Sequence, residues 1–442
     1  MKIGVVSLGC VKNRVDTEQM LSLLTQAGHE FTTDPAQAEV LLVNTCGFID
    51  PAKEESIQTI LEMAQYKRTG RCKKLIVTGC LAQRYGDALL SDMPEIDALL
   101  GVNQYAQIVQ AVEEAMQGER VDLRARSNQM LECGRVLTTP AYSAYVRIGE
   151  GCNNRCAYCA IPLIRGGYRS RDEQAILDEM RMLSQNGAKE QILISQDTSR
   201  YGSDCGGSLR GLIARAALVP GVEWLRVLYM YPDEIDEALL EEMARHDNVC
   251  KYLDLPLQHA SPTVLRRMNR RGDINDARRL LLRAREMGFT LRTTFIVGFP
   301  GETQEDFQQL MDFTREVRFD RMGAFKYSQE EDPPAAAMPD QVPEEIKEAR
   351  LSQLMALQAD ISRELNERRV GSVCRLHDPK VLVTGFDGML YTGRSEMEAP
   401  DSDGSILFTA PRELTPGEFV RVRIVRADTY DLYGKLCEEE EA

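Results

Sequence analysis

Short apolar runs alternate with amphipathic stretches of helical period along most of this 442-residue chain, and that alternation constrains the fold more than any other feature. Strand, helix, strand in succession is the pattern of a parallel sheet covered by helices. In the first series the apolar runs fall at 3–7, 40–44, 75–78 and 96–100, which predicts a doubly wound parallel α/β domain over 1–117. A polar stretch at 118–140 reads as a linker. The second series, at 144–148, 191–195, 224–229, 251–255, 291–297 and 321–327, carries no dinucleotide-binding glycine fingerprint. Six βα units of this kind predict an incomplete parallel barrel over 141–331, a partial (βα)6 domain whose site residues sit at the carboxyl ends of the strands.

After the proline-rich "EDPPAAAMPDQVP", residues 332–370 read as linker and a long charged helix. From 371 the pattern changes to short β runs separated by turns such as "FDG" and "DSDG". That predicts a small antiparallel β-barrel, OB-like, over 371–437, with an acidic tail at 438–442. Three domains agree with a chain too long for a single core. With 27% charged residues, and no apolar run near the ~20 residues of a membrane span, nothing here is built to cross a bilayer. Residues 1–10 are too short for a secretory signal, and Ser7 stands where a lipoprotein signal needs a large aliphatic residue. They read as the buried first strand of a cytoplasmic protein. The net charge of −15 argues against a generally basic nucleic-acid surface and favours basic partners.

Twelve cysteines in such a chain point to metal or redox chemistry rather than to disulfides. Cys10, Cys46 and Cys80 follow the first three strands in "SLGC", "NTCG" and "VTGC", in the loops that form the ligand crevice of such a sheet. One cysteine there would read as a small buried hydrophobe. Three in equivalent loops, beside Gly9, Gly47 and Gly79, read as a shared metal site. Cys72, in "TGRCKK", lacks that context.

The segment "GEGCNNRCAYCAIPLIRGGYRSR" follows the first strand of the second series and spaces Cys152, Cys156 and Cys159 as C-x3-C-x2-C. Three thiolates in a short loop can hold three irons of a cubane and leave the fourth open, whereas a structural zinc needs a fourth protein ligand. No further cysteine or histidine lies near; a zinc knuckle completed from elsewhere is the competing reading. Other strand ends carry polar groups, in "ISQDTSRYG" and "LDLPLQHAS". In "TTFIVGFPGETQEDF" a glycine-rich turn lets backbone approach a flat ligand, and Thr303 with Asp306 forms a capping box. His259 reads as structural.

The cysteine loop resembles the radical S-adenosylmethionine (SAM) superfamily. The resemblance implies a 4Fe-4S cluster on Cys152, Cys156 and Cys159, with the amino and carboxylate groups of SAM on the open iron. Tyr158 then matches the aromatic position placed against adenine, and the turn of Gly298, Pro300 and Gly301 the adenine-contacting strand end. Ser195, Gln196 and Gln258 become candidates for the ribose and methionine ends. Together with Cys10, Cys46 and Cys80 ahead of it, the loop resembles the methylthiotransferase family over nearly the whole chain. That implies a second 4Fe-4S cluster on those three cysteines, catalysis resting on all six, and two SAM molecules: one gives a methyl group, the other a 5′-deoxyadenosyl radical that activates a C–H bond. The C-terminal barrel corresponds to the family's TRAM domain, which binds the macromolecular substrate.

Within the family, "SLGCVKNRVDTE", "NTCGFIDPAKEESI", "RGGYRSR" and "EAPDSDG" are similar to the ribosomal type, which methylthiolates the β-carbon of an aspartate in small-subunit ribosomal protein S-twelve. Val11 stands where that type commonly has proline, with no ligand lost. A low-potential electron donor such as flavodoxin or ferredoxin, and a sulfur donor, are implied as partners. Residues 371–442 hold eight Lys and Arg against fourteen Asp and Glu, a net of −6, or −2 without the final acidic run. A barrel that grips tRNA phosphates should be basic, whereas an acidic one suits a basic ribosomal protein. Glu396, Glu398, Asp401 and Asp403, in one turn-rich loop, are the candidate substrate contacts. The rivals are a tRNA adenosine methylthiotransferase and a non-catalytic iron–sulfur scaffold.

Overall fold

The computed structural model describes residues 1–125, 127, 130–371 and 380–437; the expected acidic tail at 438–442 lies outside them. The chain divides into two units. The first comprises Met1–Pro140, Tyr145–Ala175 and Ser328–Ala336, and the second Ala141–Ala144, Ile176–Tyr327 and Ala337–Ala442.

The first unit is built on β1 (Lys2–Ser7), α1 (Val11–Gln26), β2 (Glu30–Thr32), β3 (Val40–Thr45), α2 (Asp50–Thr69), β4 (Lys74–Gly79), α3 (Cys80–Asp92), β5 (Ala98–Leu100), α4 (Ile108–Met116) and β6 (Val121–Leu123). All six strands are parallel, in the order β2-β1-β3-β4-β5-β6. Every residue of β3 is buried, as expected for a strand with helices on both faces. The side chains alternate accordingly: Val40, Leu42 and Ile76 enter one core with Ile108 and Val112 of α4, while Leu41, Val43, Leu75 and Val77 enter the other with Ile60 of α2 and Leu81 of α3. Strands are added on opposite sides of β1, so a topological switch point lies between β1 and β3, where the loops at the carboxyl ends open a crevice. Two edge strands go beyond the sequence reading. β2 has no buried residue, hence no apolar signal, and β6 lies inside the stretch read as linker, 118–140, where it pairs with β5.

Strand β7 (Ser143–Arg147) crosses the division between units. The first unit continues through β8 (Gly149–Glu150), the cysteine loop, α5 (Ile161–Arg165) and β9 (Arg169–Ser170). β8 and β9 pair antiparallel, closing the loop at its base. Residues 328–336 also belong here: Arg84 of α3 pairs with Asp332, and the Ala335 N–H donates to the Ala157 carbonyl at 2.9 Å.

The second unit carries α6 (Glu173–Gln185, entering from the first), then β10 (Glu190–Ile194), α7 (Leu209–Ala216), β11 (Trp224–Val227), α8 (Glu237–Arg245), β12 (Tyr252–Asp254), α9 (Pro262–Arg267), α10 (Ile274–Glu286), β13 (Thr290–Val297), α11 (Gln304–Val317) and β14 (Arg321–Lys326). β10 pairs parallel with β11, and β12 with β13 and β13 with β14. The Cys250 N–H donates to the Leu225 carbonyl at 2.9 Å, bridging β11 to the β12 segment. This is the open parallel arc expected of the partial barrel. α11 starts with the anticipated capping box of Thr303 and Asp306, and the charged helix is α12 (Glu344–Glu367). The C-terminal β domain has β15 (Val381–Phe386), β16 (Tyr391–Arg394), β17 (Ile406–Thr409), β18 (Phe419–Val420), β19 (Val422–Ala427) and β20 (Leu432–Leu436). They form one curled sheet, β18-β15-β16-β17-β20-β19, around Val381, Ile406, Phe408 and Val422. It is antiparallel except for β17 with β20.

Candidate functional site

The switch-point crevice receives the first set of thiols. Cys10 caps α1, Cys46 follows β3, and Cys80 opens α3 directly after β4. Cys10 is exposed, Cys46 partly buried and Cys80 buried. Two of the three thiols thus stand at helix N-termini. Asn13 ties the loops together. Its Nδ2 donates to the carbonyls of Leu8 (3.1 Å) and Thr45 (2.9 Å), and its Oδ1 lies 3.7 Å from the Cys80 sulfur. Glycine is required at Gly79, where φ is +100° and a Cβ would stand 2.4 Å from the Thr45 carbonyl oxygen. Burial pushes the Cys80 thiol up to about 12, and a bound metal reverses that preference because it takes the thiolate.

The second set lies in the loop between β8 and α5. Cys152 and Cys156 are buried and Cys159 partly so. Backbone N–H groups converge on the sulfurs: Asn154 donates to Cys152 Sγ at 3.4 Å and Ile161 to Cys159 Sγ at 3.5 Å. The Cys152 N–H donates to the Gly166 carbonyl at 3.0 Å, which holds the loop closed. Such N–H···S bonds stabilise thiolates and tune a cluster. Tyr158 is partly buried between Cys156 and Cys159. Among the described residues no three His, Cys, Asp or Glu side chains close on one metal ion. A cubane asks for something else, because each thiolate binds its own iron at a separate corner.

The remaining ligand candidates lie in the second unit, at the carboxyl ends of its strands. Ser195 is buried and its Oγ accepts from the Asp197 N–H at 3.1 Å. Gln196 carries a buried Oε1 with no hydrogen-bond partner among the described residues, the kind of acceptor a polar ligand satisfies. Gln258 has φ +72°, a strained conformation for a non-glycine residue and one that concentrates at ligand sites; its carbonyl accepts from the Ile296 N–H at 2.7 Å. Gly298 and Gly301 also have positive φ, and the added Cβ would meet Lys347 and Arg267 respectively. Pro300 is buried between them.

Glu302, absent from the sequence-derived candidates, builds this turn. Its Oε2 accepts from Gly298 N–H (2.7 Å) and Phe299 N–H (3.2 Å), and its Oε1 pairs with Arg350 of α12 at 2.8 Å. The signal was present in the "GFPGE" run, as an acid closing a glycine turn. His259 is fully buried; its Nδ1 accepts from the Ser261 N–H at 2.9 Å, and its Nε2 lies 3.5 Å from Glu302 Oε2.

The four loop acids separate. Glu398 is 1% exposed, between Arg321 (2.8 Å) and Arg369 (2.6 Å). The Asp403 carboxylate accepts from Tyr252 Oη at 2.6 Å and from the Ala399 N–H at 2.8 Å. Glu396 is half-buried and accepts from the Lys251 N–H at 3.4 Å. Only Asp401 is exposed. Glu396, Glu398 and Asp403 thus have partners within the second unit that a count of charges did not reveal.

Comparison with known proteins agrees with this layout. Residues 146–314 match the Radical SAM superfamily, residues 2–101 match "Uncharacterized protein family UPF0004", and residues 377–437 match the TRAM domain. The ribosomal protein uS12 methylthiotransferase RimO of Desulforamulus reducens is 48% identical, covering 99% of each chain. That of Desulforudis audaxviator is 49% identical over 98% of this chain and 97% of the relative. Among solved structures, the radical S-adenosylmethionine methyltransferase TsrM from Kitasatospora setae aligns with a TM-score of 0.56 at 15% identity, covering 88% of this chain and 79% of that one, a likeness of fold. With nearly half its residues shared along almost its full length, the chain belongs to the RimO family of radical SAM methylthiotransferases.

Proposed function

We propose that this enzyme adds a methylthio group to the β-carbon of an aspartate in ribosomal protein uS12, using two SAM molecules and two 4Fe-4S clusters. The observation that carries the reading is the pair of separate three-thiol sets, one on the loops of a switch-point crevice and one in a closed loop lined with N–H donors. The clusters and SAM supply one-electron chemistry and the sulfur and methyl groups to be transferred. The protein's own residues bind and orient. Cys10, Cys46 and Cys80 hold one cluster, and Cys152, Cys156 and Cys159 the other. Gln196 offers its unpaired Oε1 to a donor on SAM, Ser195 and Gln258 line the same strand ends, and Tyr158 offers an aromatic face. Glu302 holds the Gly298–Gly301 turn open for adenine.

Among the acids of the C-terminal loop, the exposed Asp401 is the one offered to the substrate, whereas Glu396, Glu398 and Asp403 are wholly or partly buried. The acidic balance of residues 371–442 favours a basic protein over tRNA. No helix among the described residues is long and apolar enough to cross a membrane. The working reading is a cytoplasmic enzyme served by a low-potential donor such as flavodoxin or ferredoxin and by a separate source of sulfur.

Anaerobic reconstitution tests the two-cluster reading: about eight irons per chain are expected, and roughly half in the variant with Cys152, Cys156 and Cys159 changed to Ala. Wild type that never exceeds one cluster would refute it. Gly79→Ala should also lose roughly half the iron, because the new Cβ pushes the Cys80 turn off Thr45. Iron analysis with visible absorption checks this, and full occupancy would show that the turn tolerates the side chain.

A further inference from the structure

Four charged side chains are buried together in the first unit: Asp16 on α1, Arg147 on β7, Glu150 on β8 and Arg165 at the end of α5, each less than 5% exposed. Arg147 Nη1 pairs with Asp16 and lies 3.1 Å from Glu150 Oε2. Arg165 Nη1 lies 3.0 Å from Glu150 Oε1, and its Nη2 lies 3.0 Å from Asp16 Oδ2. Two cations and two anions thus close a ring, with Gln19 and Tyr105 each 2.7 Å from Arg147 Nη2. Burying four ions costs several kcal/mol per ion before pairing, and an apolar cluster of equal volume is often as stable. Stability alone is a weak reason for such a ring.

Its edge gives a better one. Arg165 Nη2 also donates to Asn13 Oδ1 at 2.6 Å and reaches Cys80 Sγ at 3.9 Å. Asn13 is the amide that ties the loops of Cys10 and Cys46. At the other end, Glu150 Oε1 accepts from the N–H of Gly151 at 3.1 Å, the residue before Cys152. A guanidinium delivered by the segment after Cys159 therefore stands on a sulfur of the other set.

We propose that Arg165 is a positioning and charge-setting residue for the site of Cys10, Cys46 and Cys80: its guanidinium orients the Cys80 sulfur and raises the reduction potential of the cluster held there. The inference rests on the reading that these three cysteines hold a cluster. Adding an electron to a cluster on three thiolates increases negative charge in a low-dielectric site, and a fixed cation on one sulfur favours the reduced form. Arginine suits the task because one planar fork can serve Asn13, Asp16, Glu150 and the sulfur together.

The test uses the full chain with Cys152, Cys156 and Cys159 changed to Ala, which retains only the first site. Iron content and the midpoint potential, read from the cluster's electron paramagnetic resonance during a redox titration, are compared across variants. Arg165→Gln with Glu150→Gln removes one cation and one anion, leaving net charge unchanged, and should shift the midpoint to lower potential. Arg147→Gln with the same Glu150→Gln also removes one cation and one anion but leaves the guanidinium at the Cys80 sulfur in place, and should leave the midpoint near the parent value. Arg165→Lys, which keeps a cation near the sulfur, should shift it less than the Gln pair does. Iron loss confined to the Arg165 pair, with Arg165→Lys still loaded, also supports the assignment. Equal midpoints in the two pairs, or equal iron loss in both, would overturn it. A parent variant without iron would instead remove the cluster, and the two-cluster reading with it.

Discussion

Cys10→Ala, Cys46→Ala and Cys80→Ala should each leave reductive SAM cleavage intact while methylthiolated product falls below detection. The two thiol sets come from different parts of the sequence, the first from loops after β1, β3 and β4 and the second from a single loop closed by β8 and β9. Removing a ligand from the first leaves the backbone donors on Cys152 and Cys159 in place. Cys152→Ala, Cys156→Ala and Cys159→Ala should abolish both readouts, because the proposed assignment puts SAM cleavage on the cluster these three would hold. Chromatography of 5′-deoxyadenosine beside mass spectrometry of the product separates the two outcomes. Normal product from any of the first three variants would remove that cysteine from the ligand set.

Glu190→Ala is expected to destabilise the second unit by about 3–5 kcal/mol, the range for a buried ion pair that loses one partner. Glu190 is fully buried, its carboxylate 3.2 Å from Arg226 Nε, 2.6 Å from Arg394 Nη2 and 3.0 Å from Ser143 Oγ. Arg226 has no exposure of its own, so truncation strands a cation with little access to water. Although burial alone would raise it, Arg394 and Arg226 hold the Glu190 carboxyl down at about 2, against an ordinary 4.5. A depressed carboxylate contributes stability that is fully present above the ordinary value and is lost as pH falls toward 2. Urea midpoints between pH 7 and pH 3 should therefore fall more steeply for wild type than for Glu190→Gln. Parallel curves would show that the ion pair contributes nothing to folding.

Alternation of apolar runs was enough to place the parallel strands other than the edge strands β2 and β6, because buried strands and helix faces write their periods directly into hydropathy. The expected strand at 291–297 is Thr290–Val297, and that at 321–327 is Arg321–Lys326. What stayed hidden is polar. Lys12, Asn13, Asp16, Thr17, Glu18 and Gln19 of α1 are all buried, yet by composition they read as a solvated face. Glu18 is engaged by Arg135, and Thr138 donates to it at 2.8 Å from both its backbone N–H and its hydroxyl, partnerships across more than a hundred residues that no local pattern reveals. Arg147, in the otherwise apolar "AYVRI", was a visible clue, since a lone charge on a buried strand needs a partner. The burial of the loop acids was hidden in the opposite sense. A turn-rich stretch looked like surface, while Glu398 is pinned by two arginines of the same unit. The placement of Cys10, Cys46 and Cys80 in neighbouring loops was legible because each closely follows an apolar strand.

The most direct measurement is mass spectrometry of uS12 after incubation with the anaerobically reconstituted enzyme, SAM, a low-potential reductant and a sulfur source. The expected result is a methylthio group on a single aspartate of uS12, with 5′-deoxyadenosine formed alongside it and no modification of bulk tRNA under the same conditions. Unmodified uS12 together with methylthiolated adenosine in the tRNA would contradict the substrate assignment.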